Sequence, residues 1–193
     1  IYIEEQYLAA PMLRDVLRAA LAKPGSTLDV VIVISDNCED FRAIADQPGY
    51  DRARFLFLKD LITDARVQVF SIKAYYLHSK VTIIDDVFVN IGSANMNRRG
   101  LTHDAEINAF VLDGRVEEGA RKLARDLRTR LWAEHLGMPL TASSYAELND
   151  VGRALDILRH KRPPTSKLLP YTTRNPGSDY TFQWTNVADP LGF

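Results

Sequence analysis

The apolar positions of this chain alternate between two periods. Residues 1–8 open it as a short strand-like run. From Pro11 onward Leu13, Val16, Leu17, Ala20 and Leu21 recur at helical spacing, with proline suited to a first turn, and Pro24-Gly25 ends the run. Residues 28–35 (LDVVIVIS) are continuously apolar and β-branched, which predicts a strand covered on both faces. A helix over 50–62 and a strand over 67–72 follow. Next come two strand-like runs, 77–84 and 87–91, separated by Asp85-Asp86 as in a tight hairpin. A strand over 105–112 and a turn at Asp113-Gly114 lead into a long helix reaching Leu136. In that helix Val116, Ala120, Leu123, Leu127 and Leu131 make the apolar stripe, and the Arg and Glu residues between them its solvated face. A last helix spans 144–158. Strands alternating with helices place the chain in the α/β class, as a layered α/β/α sandwich around a mixed, largely parallel central sheet.

Composition narrows the function classes. A chain of 193 residues is about one large domain, able to hold a core without disulfide or metal. Lys and Arg number 24 against 25 Asp and Glu, for a net charge of -1. That balance exerts no general pull toward nucleic acid or anionic lipid, so a polyanion must be met by a local patch. The single cysteine, Cys38, excludes an internal disulfide framework and a cysteine-rich metal site, and reads as a small core residue. No apolar run has the length of a membrane span, and the first residues do not resemble a signal peptide. The strand-like opening without an initiator Met is expected of a piece cut from a longer protein, which leaves the compartment open.

One segment carries chemistry. His78 and Lys80 stand two apart in a strand-like run, so both side chains are expected on one face. A neighbouring ammonium pushes an imidazole toward its neutral form, and an anion between the two makes the pair attractive. Gly92, at the end of the returning strand, has no Cβ and lets a ligand approach the backbone. Ser93 and Asn95 add neutral donors. An imidazole, a cation and two donors around a glycine describe a seat for a tetrahedral oxyanion such as phosphate. With Asp85, six residue types fall at fixed offsets, a chance match of roughly one in a hundred thousand at ordinary residue usage.

The pattern H-x-K-x(4)-D-x(6)-G-S-x-N resembles the HKD motif of the phospholipase D superfamily. Residues 1–7 (IYIEEQY) resemble the YIENQ(F/Y) strand that precedes the second motif of two-motif members, with Glu5 where Asn is usual. Asp104-Ala105-Glu106 resembles the D-x-E segment that follows it, while Arg99-Gly100 replaces the familiar Arg-Ser. The resemblance covers about residues 1–136. It implies a catalytic half-domain over 1–160 with one HKD motif, and a C-terminal extension over 161–193 packing onto it through Tyr171, Tyr180, Phe182 and Trp184.

That resemblance also implies a mechanism without metal or other cofactor: a histidine attacks a phosphodiester, a covalent phosphohistidine forms, and water or an alcohol resolves it. Two HKD motifs face each other in such a site, the second coming from a missing N-terminal half or from a homodimer partner. His78 would protonate the leaving alcohol and activate water. Lys80 would hold the phosphate, Ser93 and Asn95 would bond its oxygens, Glu106 would fix the histidine ring, and Asp85 would organise the hairpin. Glu4 and Gln6 would line the cleft. Arg98 and Arg99 would steer phosphate or form surface ion pairs, His103 would be an exposed bystander, and His135 and His160 would be solvated.

The expected activity is hydrolysis of a glycerophospholipid at a membrane surface to phosphatidate and free alcohol, with transphosphatidylation as its variant. A nuclease or a cardiolipin-synthase-like transferase is the alternative, and an inactive scaffold of the same fold is the second. The near-zero charge disfavours nucleic acid. By itself the piece is expected to fold but to be nearly inactive.

Overall fold

The computed structural model describes residues 1–35, 47–72, 74–114, 116–117 and 120–173. Cys38, Tyr180, Phe182 and Trp184 lie outside the described residues. In chain order the elements are β1 (Tyr2–Glu5), α1 (Pro11–Leu21), β2 (Val30–Ser35), α2 (Gln47–Leu58), β3 (Val67–Ile72), β4 (Val81–Ile84), β5 (Phe88–Gly92), α3 (Arg98–Thr102) and β6 (Asn108–Leu112). Then come β7 (Val116–Glu117), β8 (Ala120–Arg121), α4 (Lys122–Leu136), α5 (Ala142–Asn149), α6 (Val151–His160) and β9 (Leu168–Pro170).

Seven strands form one sheet in the order β6-β5-β4-β1-β2-β3-β9. Alternation along its central strands divides the core in two. Tyr2, Val31, Val33, Phe70 and Ile72 face Ala124, Trp132, Leu136, Leu148 and Leu158 of α4, α5 and α6. Ile3, Val30, Ile32, Ile34, Val67 and Val69 face Leu17, Leu21, Phe57 and Leu58 of α1 and α2. The expected α/β layering around a mixed sheet is therefore present. Its parallel part is narrower than expected: β1-β2 and β2-β3 run parallel, whereas β1-β4, β4-β5, β5-β6 and β3-β9 are antiparallel. The physical reason is connection length, because hairpins such as β4-β5 can join only antiparallel neighbours.

The β4-β5 hairpin turns at Asp85 and Asp86, both with φ of 53°. Positive φ at both central residues is what a type I′ turn needs, and aspartate tolerates it better than most side chains. Asp86 is then gripped by Arg128 of α4 through two hydrogen bonds of 2.7 and 2.8 Å. The same guanidinium donates to the carbonyls of Leu148 and Asn149 and lies over the Trp132 ring.

Buried Arg128, together with buried Arg125, corrects the expectation of a solvated Arg face on this helix. The helix also starts later than expected. Val116 and Ala120 belong to the small β7-β8 ladder, and Leu123 is exposed. Leu127 and Leu131 of the expected stripe pack against the core, where Ala124, Trp132, Ala133 and Leu136 are more deeply buried and the Trp132 ring meets Tyr2 edge to face. The expected helix over 144–158 is two helices. Asp150 breaks them with an extended ψ of 113° and caps α6 by accepting from the Arg153 N–H at 2.9 Å. On the far edge, β9 pairs with β3, and the Tyr171 N–H donates to the Val69 carbonyl at 2.9 Å, so the described start of the C-terminal extension joins the sheet.

Candidate active site

Strand β1 is buried along its whole length although two of its four residues are glutamates. Alternation sends Glu4 toward α4, where Tyr2 also points. The Glu4 carboxylate accepts from Tyr2 Oη at 2.5 Å and from His135 Nε2 at 2.7 Å on one oxygen, and from Ser79 Oγ at 2.5 Å on the other. Burial opposes its ionisation, yet the hydrogen bonds from His135, Ser79 and Tyr2 hold its carboxyl below the usual range. Two residues on, the Gln6 side chain donates to Tyr76 Oη and accepts from Lys80 Nζ at 3.0 Å. The polar edge of β1 thus holds residues 75–80, a segment without regular secondary structure that delivers His78 and Lys80.

His78 and Lys80 come out of this segment differently. Lys80 is buried, and its ammonium is fixed between Gln6 Oε1 and the His78 carbonyl at 2.7 Å. His78 is exposed, with its ring stacked on Tyr76 at a centroid distance of 5.8 Å. Among the described residues neither ring nitrogen of His78 meets a hydrogen-bond partner. Partial desolvation, and after it the charge of Lys80, lowers the His78 pKa from its ordinary value. Desolvation likewise lowers Lys80, while the charges of Glu5 and Glu106 act to raise it. At neutral pH the site therefore presents a neutral imidazole beside an anchored cation.

The other sequence-predicted residues divide. Gly92 ends β5, and a Cβ there would lie 2.1 Å from Asn108 Oδ1, so the space is taken by a side chain of this chain. That corrects the expectation of a ligand approaching Gly92. Asn108 uses the room to accept from the Ala94 N–H at 3.2 Å and to donate to Asn90 at 2.9 Å, bracing the GSxN turn. The Ser93 hydroxyl accepts from the Ile107 N–H at 3.0 Å, which ties the turn to β6. Asn95 Oδ1 is buried without a partner among the described residues, and Asn95's backbone lies so close to Gly100 that a Cβ there would fall 2.5 Å from its carbonyl oxygen. Glycine at the position where the resemblance leads one to expect serine is thus a packing requirement.

Glu106 is exposed in the loop before β6 rather than within a strand, and no hydrogen bond joins it to His78 among the described residues. Asp85 sits at the opposite end of β4 from Lys80, roughly 17 Å away at the rise of an extended strand. Its place in the turn is that of a hairpin residue.

Arg99 forms a two-pronged ion pair with Asp104, at 2.7 and 3.2 Å, which is the surface pairing rather than phosphate steering. His103 and His160 are exposed. His135 is not solvated as expected: it is 2% exposed and joins Tyr75 Oη at 2.9 Å to Glu4. Glu4 and Gln6, expected in the cleft wall, are buried beneath the segment that carries His78 and Lys80. The signal for all three was two polar side chains at alternate positions of an otherwise apolar strand, since a buried carboxylate demands donors from somewhere.

A model of the family described as "Cardiolipin synthase, PLD-like domain" matches residues 1–132, more than two-thirds of the chain. The chain belongs to the phospholipase D-like family. Within that family it is 38% identical over 102 residues to phospholipase D C of Dictyostelium discoideum, a match covering 47% of this chain and 6% of that protein. It is 42% identical over 82 residues to a cardiolipin synthase of Staphylococcus aureus, covering 42% of this chain and 16% of the relative. The chain therefore spans only a small part of these relatives. The phospholipase D family member Nuc of Salmonella typhimurium superposes with a TM-score of 0.47 at 22% identity, over 70% of this chain and 76% of that one. Among the described residues no helix is long and apolar enough to cross a membrane, and no three His, Cys, Asp or Glu side chains converge as a metal ion requires.

Proposed function

We propose that this chain supplies part of a phosphodiester-cleaving site of the phospholipase D type, in which His78 is one of two imidazoles and Lys80 holds the phosphate. The observation that carries this reading is an exposed imidazole without hydrogen-bond partners among the described residues, beside a buried ammonium fixed from two sides. The attacking imidazole belongs to a second HKD motif, from the same polypeptide or a second copy. Its nitrogen forms a bond to phosphorus as the bond from phosphorus to the alcohol oxygen breaks. His78 gives the departing oxygen a proton, then takes one from the water or alcohol that displaces the histidine. The free site keeps His78 neutral, and the negative charge of a phosphodiester beside it restores its affinity for the proton needed in the first step. Lys80 neutralises a non-bridging oxygen, and the Asn95 amide and Ser93 hydroxyl of the GSxN turn are the neutral donors to the phosphate oxygens. Glu106, whose charge already reaches Lys80, supports the protonated imidazole.

The substrate is a glycerophospholipid, cleaved to phosphatidate and an alcohol. A second reading, transfer of the phosphatidyl group to a lipid hydroxyl, is favoured by the description of the matching family and by the 42% identity to a cardiolipin synthase. Nucleic acid is disfavoured because the basic run near the end of α6 is occupied: Arg159 pairs with Asp29, Lys161 with Asp156, and Arg162 lies over Phe70. Incubation of the full-length protein with phosphatidylcholine vesicles, phosphatidylglycerol vesicles and single-stranded DNA separates these outcomes. Phosphatidate or cardiolipin is expected, with at least a thousandfold loss in His78→Ala, on the order of what removal of a triad member costs other covalent catalysts. Turnover undiminished in His78→Ala overturns the proposal, and cleavage of DNA alone replaces its substrate.

A further inference from the structure

The segment that carries His78 and Lys80 has an unusual support. Residues 75–80 precede β4 and belong to no strand or helix, and the Lys80 carbonyl, which accepts from the Gly92 N–H at 3.2 Å, is where the ladder begins. Before it, the hydrogen bonds that tie the segment to other described residues run through side chains. Tyr75 reaches His135 Nδ1, Tyr76 reaches Gln6, Ser79 reaches Glu4, and Lys80 reaches Gln6.

Two of these four tethers converge on one buried pair. Glu4, at 1% exposure, and His135, at 2%, lie on β1 and α4 and are 131 residues apart in the chain. Their partners on the segment, Tyr75 and Ser79, lie on either side of Tyr76 and His78. The pair thus clamps the segment at two points, with the stacked Tyr76 and His78 rings between them. The carboxylate accepts from Ser79, Tyr2 and His135, so Nε2 of His135 carries a proton. His135 is also tied on its far side: its carbonyl accepts from the Lys167 N–H at 2.8 Å, and the Lys167 ammonium lies 5.1 Å from the centroid of the Tyr75 ring.

We infer that Glu4 and His135 are positioning residues for His78, acting through Ser79 and Tyr75 and never touching substrate. This inference rests on the proposed phosphodiester chemistry of His78. Its physical basis is that a reacting group displaced by about 1 Å can lose roughly a hundredfold in rate, and that an irregular segment has no backbone ladder to prevent such a displacement. Burial of both residues explains why their place is beneath the site, out of reach of an incoming phosphate.

The test centres on Ser79, because removing its hydroxyl leaves no buried charge without partners: Glu4 keeps Tyr2 and His135. In the full-length protein Ser79→Ala is expected to keep its melting temperature within a few degrees while kcat falls about tenfold or more and KM stays within about twofold. Ser79→Thr, which retains the hydroxyl, is expected to recover most of the loss. His135→Gln, with kcat expressed per folded molecule from circular dichroism, is expected to fall by a similar factor, and the Ser79→Ala/His135→Gln pair by less than the product of the two. Wild-type kcat per folded molecule in both single variants, with His78→Ala inactive, overturns the inference and leaves the proposed function standing. Wild-type kcat in His78→Ala removes the function itself.

Discussion

Glu4 and Glu5 are adjacent on β1 and equally hidden from water, but they look toward opposite layers of the molecule. Glu4 faces α4 and meets three side-chain donors, which hold its carboxyl below the usual range against the effect of burial. Glu5 faces the other way. One of its oxygens accepts from the Tyr7 N–H at 3.1 Å, and the other has no partner among the described residues. Burial pushes its pKa up to about 7, with backbone donors and Lys80 opposing the rise only in part. The difference teaches that burial alone does not set the state of a carboxyl. Donors brought up by other elements do, and here the side-chain donors gather on Glu4, from His135 of α4 and from Ser79 of the segment before β4.

The largest effect that would sharpen this contrast is on stability. Glu4→Leu leaves Tyr2, Ser79 and His135 without their acceptor and is expected to cost about 3–5 kcal/mol, measured by urea unfolding at pH 7. A cost no greater than that of Glu5→Leu would break the comparison.

Next in size is Glu5→Gln. The native state binds the Glu5 proton more tightly than an unfolded chain with a pKa near 4.5, so ionisation opposes folding. That penalty is absent below pH 4.5, grows as pH rises toward 7 and is complete above it. Glu5→Gln is therefore expected to be more stable than the parent by about 3 kcal/mol at pH 8, with the gain vanishing by pH 4.5. A gain that persists at pH 4.5 would assign it to packing instead. The smallest effect concerns the influence of the Lys80 charge on His78. Lys80→Met removes the second cause of the lowered His78 pKa and leaves its desolvation, so the His78 titration followed by NMR is expected to rise partway toward 6.5. An unmoved midpoint would show that Lys80 does not reach His78.

How far residues could be read without coordinates follows from how local their causes are. The continuous β-branched run of β2, the helical repeat of α1 and the Asp85-Asp86 turn each depend on neighbours a few positions away, and each lies where its pattern predicts. The break at Asp150 was hidden because the apolar spacing of α5 and α6 nearly continues across it. The buried guanidinium of Arg128 was hidden for a different reason, since its partners Asp86, Leu148 and Asn149 come from two other elements. His135 looked like any charged helix residue until β1 was placed beside it.

From the chain of letters alone come the family, the chemistry of an imidazole beside an ammonium, and the α/β character of the fold. All three reside in residue types at short fixed offsets, where covalent geometry carries the information. Tertiary structure decided what holds that chemistry in place. It filled the space at Gly92 with Asn108, gave Arg99 to Asp104, and set Glu4 and His135 beneath the segment of His78 and Lys80. Such assignments depend on which distant donors and acceptors meet in a dry interior, and spacing along a chain does not encode the distance between residues 4 and 135.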